Sequence, residues 1–188
     1  ETATLLTSLE EAIHMVEDSV AWLRNQGKRV FLDAEHFFDG WKENTTFSGD
    51  VLRAAARAGA EVLVLCDTNG GTMPDQVEQI VADVVALVSS DELGLAPGMT
   101  RPKVGVHFHN DAGCAVANAL AAVRAGATHV QGCVNGYGER TGNANLTTII
   151  PNLSLKMGVR TIPPERLERL TAVSHHIAEL VNVAPDPQ

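Results

Sequence analysis

The stretch VGVHFHND, Val104 to Asp111, runs from apolar residues into two histidines one residue apart, then an amide and a carboxylate. Successive side chains of a strand point to opposite faces, so residues two apart share one. His107 and His109 therefore face the same way, at the C-terminal end of a strand that Val104 and Val106 begin. Two neutral imidazoles in that position suit one divalent metal ion. The plainer alternative leaves them as polar residues at a strand end, bonded to loop carbonyls.

Three other apolar runs end in the same manner. They are VFLDAEH (30–36), EVLVLCDTNGG (61–71) and THVQGCVNGYGERTGN (128–143). Between and around them the periodicity predicts helices over about 8–25, stopped by Gly27, then over 50–58, 74–88 and 113–125. A loop bearing Pro and Gly occupies 89–102. The glycine-rich turn 136–143 opens a helix through about Lys156, and a last helix spans 163–183 after the prolines that follow Ile162.

Four strands, each followed by a helix, make a parallel sheet covered by helices. An open doubly wound sheet and part of a (β/α)8 barrel both fit that pattern. The strand ends favour the barrel, because all four carry polar groups past their C-termini, where barrel active sites are built. An open sheet would gather such groups at one switch point, and no G-x-G-x-x-G follows the first strand. RAGAEVLVL (57–65) and RAGATHVQG (124–132) also repeat one helix-turn-strand unit. The expectation is an α/β fold, a partial (β/α)8 TIM barrel of about four units. Residues 1–158 would form the C-terminal half of the barrel domain and 159–188 the start of a helical linker. The chain opens without methionine, already in helical periodicity, which suggests a piece of something longer.

The composition of these 188 residues, 45% hydrophobic with a formal charge of −9, allows one globular domain with a real core. The acidic balance argues against nucleic-acid or anionic-membrane partners, which need clustered Lys and Arg. An anionic substrate would have to be attracted locally, by a metal or a placed arginine. Three cysteines without a C-x-x-C read as reduced thiols in a cytoplasmic protein, with Cys114 and Cys133 in the core. No apolar run is long enough to span a bilayer.

The segments FLDAEHFFDG, LVLCDTNGG, HFHNDAGCAVANALAAVRAGATHVQG and NGYGERTGNANL together resemble the metal-dependent Claisen-condensing synthases of the DRE-TIM superfamily. These are the isopropylmalate, homocitrate and citramalate synthases, and AEHFFDG is nearest to the citramalate branch. The resemblance covers about Val30 to Gly158. It implies a chain that supplies the last four units of the barrel. The family's first-strand D-x-x-x-R-D segment, which supplies a metal-binding aspartate and a substrate-holding arginine, has no counterpart here, so the metal site would be incomplete.

On the same resemblance, His107, His109 and Asn143 are metal ligands, for Mg²⁺, Mn²⁺ or Zn²⁺. Asn143 has an alternative use as a cap for the following helix. Glu35 matches a glutamate near the reacting groups. If buried, it would have a raised pKa and serve as a base, or it would orient a ligand, and Asp33 competes for either role. Thr68 matches a threonine that bonds the substrate carboxylate. Glu139 and Gly142 border the expected acetyl-CoA site. Arg140 would balance substrate charge or close the barrel top through an ion pair. Asn110 and Asp111 would support these groups or cap a helix, and the remaining histidines are surface or packing residues.

The implied activity is condensation of acetyl-CoA with a short 2-keto acid, pyruvate giving citramalate. Isopropylmalate or homocitrate synthesis is the near alternative. A lyase of the same superfamily would carry a cysteine in the glycine-rich loop after the last strand, and NGYGERTGN has none. A non-catalytic barrel would not need this ligand set. Half a barrel also has two open edges and a bare inner face, so a homodimer is expected.

Overall fold

The computed structural model describes residues 7–184. Helix α1 (Leu9–Asn25) starts at Ser8, whose hydroxyl accepts from the Glu11 backbone N–H, and the chain then enters strand β1 (Phe31–Ala34). Helices α2 (Phe37–Glu43) and α3 (Thr45–Ala58) lead to β2 (Val62–Asp67), and α4 (Pro74–Ser89) leads to β3 (Lys103–Phe108). Helix α5 (Ala115–Arg124), strand β4 (His129–Gln131), α6 (Leu146–Pro151), α7 (Pro164–Leu167) and α8 (Leu170–Val181) complete the order.

The four strands form one parallel sheet in the order β1-β2-β3-β4. That order decides between the two folds open at the level of sequence. A doubly wound sheet reverses its strand order at a switch point. Here every strand lies beside the next one in the chain, as in a barrel.

Alternation along the strands gives the sheet two unlike faces. Leu63, Leu65, Val104, Val106 and Phe108 point to the helices and join Leu52, Val77, Val81, Val84 and Ala119 in the main core. Val62, Val64 and Cys66 form a separate small cluster on the other face. There the two outermost strands touch. Phe31 of β1 and His129 of β4 meet edge to face with ring centroids 5.4 Å apart. In a flat sheet three spacings of about 4.8 Å would separate those strands, so contact between them requires the sheet to curl. Gly105 of β3 lies beneath the contact: a Cβ there would stand 2.9 Å from His129 Cδ2, with Val62 and Val64 at 3.0 and 3.1 Å.

Several elements depart from the periodicity. The helix expected over 50–58 begins at Thr45, and α2 precedes it, because the Asn44 side chain accepts from the Phe47 N–H and starts a new helix. Strand β4 ends at Gln131. Beyond it Cys133 exchanges backbone hydrogen bonds with Ala144 and Leu146 instead of with β3, and residues 134–136 form a tight turn. The helix expected through Lys156 ends as α6 at Pro151, which lacks an N–H donor, and widens into a π-turn over Asn152–Lys156. The last helix divides into α7 and α8 where the Arg169 N–H bonds three residues back to Arg166 O. Cys114 and Cys133 are half-buried, not core. Helix α8 returns to the end of β4: Asn135 Nδ2 donates to Ser174 O at 2.9 Å. Among the described residues no helix is long and apolar enough to cross a membrane.

Candidate metal and active site

The C-terminal end of β3 is tied to the glycine-rich turn by backbone hydrogen bonds. Asn110 N–H donates to Gly142 O at 2.9 Å and Ala144 N–H to Phe108 O at 3.0 Å. This pairing sets Asn143 opposite His109 in an antiparallel bridge. Gly142 makes the approach possible. It has φ 89°, and a side chain there would collide with the carbonyl oxygen of Gly136.

His107 and His109 lie side by side as alternation requires, with ring centroids 5.2 Å apart. His109 is 8% exposed, and its Nδ1 has no hydrogen-bond partner. Asn143 Oδ1 is likewise buried without a partner, while its Nδ2 reaches only the Cys133 sulfur at 3.6 Å. A buried polar atom without a partner costs about 1–3 kcal/mol. Two such atoms sit on residues bridged to each other; Asn118 Oδ1 and His129 Nε2 are also buried without a partner, but not at this end of β3. Asn143 is not the helix cap: Asn145 performs that task, its Oδ1 accepting from Thr147 N–H. Asn110 caps α5 through a bond from Ala115 N–H.

His107 differs from its neighbour in having a partner. Its Nδ1 lies 2.9 Å from Gln131 Oε1, and Gln131 Nε2 lies 3.0 Å from Asp33 Oδ1. Gln131 was not among the residues singled out from the sequence. Its place two residues after His129, on the inward face of a strand, was a usable signal.

Glu35 sits one residue beyond β1 and is exposed. The carboxylate is therefore not buried here, and Asp33, two residues earlier within β1, is exposed as well. Thr68 donates its hydroxyl proton to Glu35 Oε2 at 2.5 Å and accepts from His36 N–H at 2.8 Å. The hydroxyl expected to bond a substrate carboxylate thus links the ends of β1 and β2.

Arg140 is fully engaged. Its guanidinium donates to both oxygens of Asp111, to Thr68 O at 2.7 Å and to Glu139 Oε1 at 3.4 Å. It joins the loops after β2, β3 and β4, which is the loop-closing alternative of the sequence reading. The guanidinium holds the Asp111 carboxyl down at about 2. Glu139 is exposed at the rim of the turn. On the inner face, burial pushes the Cys66 thiol far up, with Glu35 and Asp33 adding to the effect. Among the described residues no three His, Cys, Asp or Glu side chains come together as a metal cluster.

A curled parallel sheet with its polar groups gathered at one end defines a barrel-type α/β protein, and the HMGL-like family model matches residues 2–177. The chain belongs to the HMGL-like family. It is 54% identical over 183 residues to the (R)-citramalate synthase of Synechocystis sp., covering 97% of this chain and 32% of that protein. It is 50% identical over 181 residues to the (R)-citramalate synthase of Streptomyces coelicolor, covering 96% and 32%. The chain therefore spans about a third of the length of these curated relatives. Among solved structures, the HMG-CoA lyase of Bacillus subtilis superposes with a TM-score of 0.71 at 22% identity, over 100% of this chain and 61% of that one. That likeness supports the fold and nothing finer.

Proposed function

We propose that this chain supplies the C-terminal face of a catalytic barrel that condenses acetyl-CoA with pyruvate, giving citramalate and free CoA. The observation that carries the reading is the pair of unpartnered buried atoms, His109 Nδ1 and Asn143 Oδ1, beside His107. Identity of 50% or more to (R)-citramalate synthases supports the choice of keto acid.

His107, His109 and Asn143 would hold a divalent metal ion, Mg²⁺, Mn²⁺ or Zn²⁺, with nitrogen and oxygen donors that suit each. Such an ion, when bound, acts as a Lewis acid on a keto oxygen. The chain's own residues do the rest. Glu35 Oε2 is occupied by Thr68, which leaves Oε1 to take a proton from the acetyl methyl group. Thr68 holds that carboxylate at a fixed angle, and Arg140 fixes the carbonyl of Thr68 in turn. The methyl carbon then bonds to the keto carbon, and hydrolysis of the thioester releases CoA. Glu139 and Gly142, at the rim and base of the glycine-rich turn, would border the acetyl-CoA. A chain with a formal charge of −9 repels both anionic substrates at long range, so their capture depends on this local site.

The test is His107→Ala in the whole protein, with metal content and thiol release from acetyl-CoA measured together. Loss of both is expected. Normal turnover at normal metal content would reject the assignment. A panel of pyruvate, 2-ketoisovalerate and 2-ketoglutarate decides the substrate, and pyruvate should turn over fastest.

A further inference from the structure

The geometry points to Gln131 as a positioning residue that, oriented by Asp33, fixes which ring nitrogen His107 presents to the metal. This inference rests on the metal-binding reading above.

The argument starts from what each group can do. A carboxylate only accepts hydrogen bonds, whereas a primary amide has an accepting end and a donating end. Asp33 Oδ1 lies 3.0 Å from one end of the Gln131 amide, so that end must be the NH2. The other end, 2.9 Å from His107 Nδ1, must then be the carbonyl oxygen. A carbonyl oxygen cannot donate, so Nδ1 carries the proton. The lone pair of the neutral ring is left on Nε2. One carboxylate on β1 thereby sets the tautomer of a histidine on β3, through an amide on β4.

Only the curl of the sheet makes this linkage possible, since β1 and β4 are its outermost strands. The contact of Phe31 with His129 one layer below holds the same two strands at the right separation. His109 Nδ1 is instead the unpartnered atom on which the metal reading rests, so the two histidines would not present the same ring nitrogen. Hydrogen-bond partners behind a ligating histidine typically change metal affinity about 10- to 100-fold.

The experiment uses the whole protein and Mn²⁺ as the probe, counting free ion by electron paramagnetic resonance. In parallel, ¹⁵N-histidine spectra of the metal-free protein identify the protonated nitrogen of His107. Gln131→Met, close in volume but without donor or acceptor, should weaken Mn²⁺ binding by about 10- to 100-fold and turn the His107 signal into a tautomer mixture. Asp33→Ala leaves the amide free to rotate and should give a smaller shift of the same kind, which keeps the test open if Gln131→Met fails to fold. The pair Asp33→Asn with Gln131→Glu reverses the donors of the upper bond and preserves the acceptor at Nδ1, so affinity and the Nδ1–H signal should return. Wild-type affinity with an unchanged spectrum in Gln131→Met would overturn the inference. His107→Ala separates the two failures. If it weakens Mn²⁺ binding while Gln131→Met does not, only the positioning role is lost. If it too binds normally, the ligand assignment falls and takes the positioning role with it.

Discussion

Arg140 closes on Asp111 as a fork, with Nε 2.6 Å from Oδ1 and Nη2 2.8 Å from Oδ2. Two parallel charge-assisted bonds of this length fix direction as well as distance. The same Nη2 also donates to Thr68 O, so one side chain registers three loops against each other.

The fork has a pH signature whose sign follows from the depressed Asp111 carboxyl. Its native value, about 2, lies below the ordinary 3.8. The pair therefore stabilises the fold fully above pH about 4 and ceases to do so as pH falls toward 2. Arg140→Met should be less stable than wild type at pH 6, and the two urea midpoints should converge as the pH falls through that window. A difference independent of pH would place the effect elsewhere. Arg140→Lys should recover little, because an ammonium cannot make both bonds.

Thr68→Val keeps the shape of the side chain and removes its oxygen. Glu35 then loses a donor and the His36 N–H an acceptor. Stability should fall by about 1 kcal/mol, while the condensation proposed for the whole protein should fall far more, because the carboxylate proposed as its base is no longer aimed. Thr68→Ser should retain most of the activity. Equal activity for the Val and Ser variants would remove Thr68 from the arrangement.

Gly105 has the inner-face neighbours described above at 2.9 to 3.1 Å from any Cβ. Gly105→Val should cost about 1–3 kcal/mol through overpacking, measured by urea unfolding, with Gly105→Ala costing less. An unchanged midpoint for the Val variant would mean that His129 swings aside freely.

Cys66 is 1% exposed, and its thiol is held in the protonated form by burial. Thiolates are the reactive species. Native protein should therefore modify at Cys114 and Cys133 first, and Cys66 should react only after denaturant is added. Fast labelling of Cys66 in the native state, read by peptide mass, would show that the inner face opens.

The strands were legible because each apolar run ends in polar residues, and β1 to β3 fall within a residue or so of where the pattern puts them. The shared face of His107 and His109 was equally legible, since it needs only the alternation of a strand. Helix α2 was not: Phe37, Phe38 and Trp41 show half a helical pattern over only seven residues. The exposure of Glu35 was not legible either, since periodicity places a residue on a face and does not report what covers that face. The linkage of Asp33 to Gln131 joins residues 98 apart in sequence. It exists only because the sheet curls, and curl leaves no local mark on either residue.

The consecutive order of the strands sets a timetable for synthesis. Phe31 pairs with Val62, Val62 with Lys103, and Gly105 with His129, so no pairing has to wait for any strand but the next. A chain leaving the ribosome N-terminus first can lay down the sheet in the order it is made. The mouth of the site follows a different schedule. Thr68 and Asp111 emerge well before Arg140, and His109 before Asn143, so both ends of the mouth stay slack until the final turn is translated. Nascent chains whose emerged part ends at residue 135 should resist protease across β1 to β3 yet be cut readily in the loops around Thr68 and Asp111. Chains emerged through α6 should lose that sensitivity.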